Sequence, residues 1–487
     1  MAKKLLAKYF VAGALVAGLA AGCDDDEPEV VTDAAATDGG GGSNADGGVV
    51  PGTDSGSDVA SPACPAETAV TGDITANTTW ACPSYSLKKL IYVTNGATLT
   101  IKEGVKITAD TTVSNPVPGL IVSRGSKLMA KGTAAKPILF TSENPVGARA
   151  AGNIAGLALL GSATINQGTC STGGAAGCAA PGFLQNNFEG INGEPRAIYG
   201  GTDDASSCGE LEYVRIEFAG AELQPGKELN GLSVAGCGSG TKLSYIQVHR
   251  GKDDGVEFFG GTASIDHVVI TGEEDDALDW DLGWRGRAQF VVIQKWVGFG
   301  DNGFESNNAT DFGETLAPRS APQLYNVTLV GTPTTRAMLL RQGTRGIMKN
   351  FIVQGFGKNV DVQWKDAANV PTTEWPAQLS VENSVFFGNV DWAPETSADA
   401  MAADYNDDFG FDEKAAFSDA ARKNQFAVDP QLTAVVETAP NFTPKNPALA
   451  NQAVPPAGFD ATANYAGAIA PNAATSWLDG WTAFPKN

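Results

Sequence analysis

Histidine is almost absent: the 487 residues contain only His249 and His267. No Cys-x-x-Cys pair or Cys/His cluster has zinc spacing, so zinc, haem and iron–sulfur centres are not expected, nor is a nucleotide. A Ser-His-Asp enzyme would have to use those two histidines, and no Gly-x-Ser-x-Gly motif accompanies them. Basic side chains are scarce as well: 33 Lys and Arg face 55 Asp and Glu, a formal charge of −22. That balance excludes nucleic acid as a default partner and argues against an electrostatic grip on anionic lipid. It suits an extracellular surface, divalent cations and neutral or cationic ligands, although acidity also serves solubility alone. A bilayer-spanning run is missing, since the apolar stretch at residues 11–21 is about half the length a membrane helix needs.

That stretch has a different use. Lys3, Lys4 and Lys8 precede it and small residues follow, the layout of a secretory signal. The end of it, LAAGC at residues 19–23, resembles the lipobox of bacterial lipoproteins, departing from it at Ala20, where Leu is preferred. The resemblance implies removal of residues 1–22 and acylation, palmitate included, of Cys23 as the mature N-terminus. Several acyl chains would hold the protein durably to a membrane. An outer-membrane or cell-surface address is expected, because the next segment is a long tether. Residues 23–63 open with Asp24, Asp25, Asp26 and Glu27 and continue in Asp, Gly, Ser, Ala, Thr and Pro. Such a composition cannot bury enough apolar surface to offset ordering. Forty residues of it reach roughly 35 Å as a coil.

Six further cysteines, an even count in an exported chain, read as disulfides. Proximity suggests Cys64–Cys82, Cys170–Cys178 and Cys208–Cys237, one of fifteen pairings.

From about Leu87 the chain becomes short apolar runs separated by Gly, Asn or Ser turns, with no sustained helical period. Farther on it repeats. VRI (214–216), IQV (246–248), VVI (268–270), VVI (291–293), VTL (327–329) and FIV (351–353) form one series. NGL (230–232), DGV (254–256), DAL (276–278), NGF (302–304), RAM (336–338) and NVD (359–361) run in step with it. A unit of about 23 residues made of strands and tight turns is a solenoid signature. It is too short for a propeller blade and lacks a leucine-rich frame. The expected fold is all-β, a parallel β-helix over residues 64–390, with 391–487 as an irregular C-terminal cap. Trp477, Trp481 and Phe484 pack back onto the solenoid in this reading, and the one plausible α-helix begins near Glu413. A separate carbohydrate module in the tail is the alternative.

At this point the chain resembles the right-handed, pectate-lyase-like β-helix proteins, and within them a group of bacterial surface lipoproteins. The segments that carry the resemblance are GLIVSRGSKLMAKGT (119–133), PILFTS (137–142), DDGVEFFGG (253–261) and GWTAFP (480–485). It implies fold strongly and activity weakly.

Strand alternation turns Val256, Leu278 and Phe304 inward as one column, Phe258 and Trp280 as another. Glu257, Asp279 and Glu305 then point outward on successive coils, about 4.8 Å apart. Two like charges at that distance repel by about 3.5 kcal/mol at an effective dielectric of ~20. A bound cation, raised pKa values or neutralising arginines, with Arg285 and Arg287 as candidates, would relieve this. Carboxylates splayed into solvent are the plain alternative. For calcium the candidate ligands are Glu257, Asp276, Asp279 and Glu305, thickened by the corner pairs Asp253-Asp254 and Asp275-Asp276.

Two functions remain open. A non-enzymatic scaffold or adhesin, expected as a monomer, would bind extracellular polysaccharide or another surface component, with Phe259, Trp284, Trp296 and Phe299 available to stack on sugar rings. A calcium-dependent lyase would instead use Glu257 and Asp279 to hold the cation and Arg285 or Arg287 to take the proton. A hydrolase would use two of the carboxylates. The polygalacturonase order of motifs is absent, because His249-Arg250-Gly251 precedes Asp253-Asp254. The non-enzymatic reading is preferred.

Overall fold

The computed structural model describes residues 64–172, 178, 182–310, 313–364, 371–389 and 411–487. The signal segment, Cys23 and the tether lie outside the described residues.

Residues 64–487 form one compact unit. Its nine-stranded sheet contains Leu90–Val93, Gly119–Val122, Leu157–Leu160, Leu232–Ala235, Val256–Phe259, Leu278–Asp281, Asn302–Ser306, Arg336–Arg341 and Lys358–Gln363, each hydrogen-bonded to the next. All of these pairings are parallel. Between successive members the chain visits a fifteen-stranded sheet whose later strands, from Gly209–Glu217 to Gly346–Gln354, also pair in parallel. From Gly209 through Gln363 each turn of chain adds one strand to each sheet, stacked on the turn before, which is a parallel β-helix. The recurring unit of about 23 residues is one coil.

Alternation fills the interior. Val256, Leu278 and Phe304 are in register, as are Phe258 and Trp280, and all are buried in one contiguous core. Trp284 lies flat on Phe258, ring centres 4.1 Å apart, and donates its Nε1–H to the Ala263 carbonyl. Trp280 donates to Thr344 Oγ1. Burial of these large rings is therefore matched by partners for their polar atoms.

Each long strand of the larger sheet bends at one residue with positive φ: Tyr213, Tyr245, His267, Phe290, Asn326 and Asn350 on successive coils. That conformation costs a non-glycine residue about 1–3 kcal/mol. Stacking offsets it. Tyr213, Tyr245 and His267 lie face to face at 4.4 and 4.3 Å, with Phe290 tilted against His267 at 4.7 Å. Asparagine, which tolerates this region best, takes over at 326 and 350.

Two segments outside the coils cover the outer faces. Residues 161–208 leave the nine-stranded sheet and include a small antiparallel sheet of Thr169–Cys170, Leu184–Asn187 and Ile198–Tyr199, before the chain rejoins the coils at Gly209–Glu217. Phe188, Ala197 and Tyr199 of this arm, with Leu229 ahead of the next coil strand, bury Ile121, Ala158, Leu160, Ala235 and Phe259. The C-terminal segment runs along the larger sheet, where Phe442, Ile469, Leu478 and Trp481 cover Val269, Val292 and Val330. Trp477 packs edge-on to His267. The helix Glu413–Ser418, capped by Asp412, puts Phe417 into the main core beside Trp375. The short helix Pro371–Glu374 has no counterpart in the sequence reading. Disulfides join Cys64 to Cys82, Cys170 to Cys178 and Cys208 to Cys237, the nearest-neighbour pairing.

Candidate acidic cation site

Glu257, Asp279 and Glu305 stand in register on three adjacent strands, following Ser233 and preceding Leu339. Their side chains point away from the core, as alternation requires. They do not point into open water. The arm lies over this part of the sheet, leaving Glu257 and Asp279 only 8% exposed.

The three carboxylates part company. Glu305 forms an ion pair with Arg341, whose Nε also donates to Asn307 Oδ1 at 2.8 Å. Glu257 and Asp279 meet Asp254 instead: one carboxylate oxygen from each lies within 4.8 Å of the others. Asp254 sits at the corner before its strand and accepts the Asp276 N–H at 3.0 Å. A second trio, Asp253, Asp254 and Asp275, shares that residue and opens toward solvent. Asp276 stays out of both trios, because its Oδ1 accepts the Asn302 N–H at 2.6 Å and shapes the next corner.

Burial, followed by repulsion from Asp279 and Asp281, pushes the Glu257 carboxyl well above the usual carboxylate range. Asp254 and Asp279 are raised too, by burial first and then by repulsion, chiefly from Asp253 and from Asp281 respectively. Burial also raises Asp276 to about 6, against the opposing pull of Lys295, and Glu273 to about 8. Two oxygens in the cluster have no hydrogen-bond partner although buried: Asp279 Oδ1 and Asn230 Oδ1. Asn230, at the corner of the preceding coil in step with Asp254, donates from Nδ2 to Glu257 Oε2 at 2.5 Å. Converging carboxylate oxygens, one of them without a partner, are a donor set that could hold a hard divalent cation in place of the protons. Calcium bonds oxygen at about 2.3–2.6 Å, so two ligands of one ion lie up to about 5 Å apart.

The arginines expected beside the ladder are elsewhere. Arg285 pairs with Asp204 of the arm at 2.8 Å. Arg287 belongs to the other sheet, its guanidinium over Phe459 of the C-terminal segment. Neither reaches Glu257 or Asp279, so the proton-abstracting role considered for them has no geometric basis here. The sugar-stacking rings also need correction. Phe259 is wedged between Phe188 and Tyr199, Trp284 lies inside the core on Phe258, and Trp296 is buried beneath Arg250. None offers a free face; Phe299 is half-buried and shares the Arg250 guanidinium. The sequence reading missed Arg341 and Asn230 and left Asp254 as a supplement. Its signal for Asn230 was present, since that residue opens the NGL unit one coil before DGV.

Coils of parallel strands, two flanking sheets and a laterally covered core define a β-helix solenoid. The family model for the pectate-lyase like beta helix domain matches residues 72–428, and the chain belongs to that family. No curated protein and no solved structure matches it.

Proposed function

We propose that this protein is a lipid-anchored, surface-displayed β-helix: a non-enzymatic scaffold or adhesin that meets extracellular polymer, glycan foremost, and takes calcium at Asp254, Glu257 and Asp279. The observation that carries the reading is that these carboxylates are closed beneath the arm. A catalytic site needs reactive groups converging on a point that substrate can reach. Here the acids lie under protein, and Arg285 and Arg287 are engaged elsewhere. A buried, oxygen-only cluster serves a structural ion better than a polymer chain. The lipobox-like Cys23 and the polar tether support display at the outer membrane or cell surface. The fold alone carries no argument for activity.

The test pairs calcium titration with a panel of acidic and neutral glycans, scoring both binding and chain cleavage. Binding without cleavage is the expected result. Cleavage that disappears in Glu257→Gln would replace this reading with the lyase or hydrolase. Cys23→Ser, expressed in a lipoprotein-exporting bacterium, is expected to lose palmitate labelling and leave the membrane fraction. Retention there would remove the anchor from the proposal.

A further inference from the structure

We propose that a cleft between the last coils and the C-terminal segment, lined by Asn383, Lys423, Gln425 and Asn451, binds an anionic sugar unit. This rests on the glycan-binding reading above and gives it a site and a charge.

The cleft encloses about 650 Å³, within the range of about 300–1,000 Å³ common to small-ligand sites. It opens where a row of bend residues ends. Asn326, Asn350 and Asn383 occupy the left-handed bend on three successive coils. Asn326 donates to the carbonyls of Ala463 and Tyr465, and Asn350 bonds both the N–H and the carbonyl of Ala453. Asn383 has the same backbone and the same amide, yet its side chain has no partner among the described residues. It lines the cleft instead.

Lys423 carries the second argument. It is the left-handed residue that ends the short helix Ala420–Arg422, a position that glycine fills without strain. A lysine stands there, exposed and unpaired among the described residues. Nearby, Lys349 and Arg422 share Glu382, one on each carboxylate oxygen. Three cations around one carboxylate leave the cleft positive in a chain of formal charge −22. Within a Debye length of about 10 Å this local excess governs an approaching anion.

The other walls suit a sugar ring. Gln425 and Asn451 also have side-chain amides without a partner, and each offers donors and an acceptor to hydroxyls. The apolar side chains lining the cleft, among the described residues, are alanines. An extended peptide would find none of the seats that Val269, Val292 and Ile352 give the C-terminal segment. The walls are also fixed in advance. Asn424 accepts the Ser384 N–H at 3.0 Å and donates to the carbonyls of Val381 and Phe417, at 2.8 and 3.0 Å. A rigid site loses less freedom on binding.

The experiment is calorimetry on the full chain in chelator, which keeps bridging cations out. The probes are a hyaluronan tetrasaccharide, which carries glucuronate, and the neutral tetramer of N-acetylglucosamine. The anionic probe is expected to bind at least about tenfold more tightly than the neutral one. Lys423→Gln is expected to weaken it about tenfold, and Asn383→Gly, which keeps the left-handed backbone, about fivefold. Lys136→Gln, on an early coil and paired with Glu103, is expected to change nothing. Equal binding of both tetramers, or unchanged affinity in Lys423→Gln and Asn383→Gly, overturns the cleft and leaves the glycan reading standing. If inorganic phosphate or a peptide of residues 460–466 displaces the anionic probe at equal concentration, the sugar assignment fails. Binding of neither tetramer overturns the cleft, and the glycan reading falls with it only if the wider panel is also silent.

Discussion

Deleting residues 453–487 is expected to convert the folded protein into an aggregating species. The C-terminal segment is held by side-chain amides projecting from the outer face of the larger sheet. Asn350 exchanges two hydrogen bonds with the Ala453 backbone, at 2.7 and 3.1 Å. Gln289 accepts the Asp460 N–H, Asn326 donates to the carbonyls of Ala463 and Tyr465, and Gln247 bonds both the N–H and the carbonyl of Ala483. Each contact satisfies strap backbone as a neighbouring strand would. Between them the apolar side chains seal Val269, Val292 and Ile352 from water. Stripping the strap leaves an outward face of β-branched residues, the surface on which sheets associate. Light scattering and dye binding on the truncated chain check this; a soluble monomer of unchanged stability would refute it. The point change Trp481→Ala is expected to cost about 3–5 kcal/mol in urea unfolding, because the indole is buried against Tyr213 and Tyr245 and donates to the Trp477 carbonyl.

The strap also has a pH dependence. His249 is buried, with Nε2 at 2.9 Å from the Pro485 carbonyl and Nδ1 at 2.6 Å from Thr271 Oγ1. Burial lowers its pKa to about 4. The unfolded chain protonates near ~6.5, so the folded form loses stability as pH falls from there toward 4, by about 3 kcal/mol in full. Above pH ~6.5 the contribution is complete. His249→Gln is expected to remove that part of the acid slope.

Much of the coil stack was legible because its determinants are local. The recurrence of VRI, IQV and VVI fixes one strand per coil, and alternation from Gly255 onward assigns Val256 and Phe258 inward and Glu257 outward. What alternation cannot reveal is what covers the outward side. Phe259 and Glu257 share that side; on sequence alone the ring looks like a ligand platform and the acid looks solvated. Both are buried because the arm, some sixty residues earlier, brings Phe188 and Tyr199 over them. One clue was available. Ile121, Ala158, Leu160 and Ala235 also occupy outward positions and are apolar, which an exposed face would not sustain. The same holds for Val269 and Val292 beneath the strap. The partners of Glu305 escaped for a related reason: Arg341 lies one inserted loop away, and loop length says nothing about where a long side chain lands.

Removing one charge from the acid cluster is expected to change stability in opposite directions in chelator and in calcium, and to shallow the pH dependence. In chelator, each carboxyl with a raised pKa keeps its proton while the unfolded chain releases one near ~3.9 to 4.3. Stability therefore falls as pH rises from about 4 toward the folded pKa of each group. Asp254, Glu257 and Asp279 contribute in this direction, as do Glu273, raised to about 8, and Asp276, raised to about 6. The cation-free protein should unfold more readily at pH 8 than at pH 5.5. Calcium competes with those protons and binds more tightly as pH rises, adding about 4 kcal/mol at 1,000 times Kd. Asp279→Asn is expected to stabilise the protein in chelator at pH 7, to shallow the pH slope by one group's share, and to destabilise it relative to wild type in calcium. Glu273 and Asp276 keep the remaining slope alive, so a flat profile is not expected. Urea unfolding at pH 5.5, 7 and 8, with and without calcium, reads all of these. If Asp279→Asn loses stability equally in chelator and in calcium, its carboxylate is ordinary packing and the cluster is not a cation site.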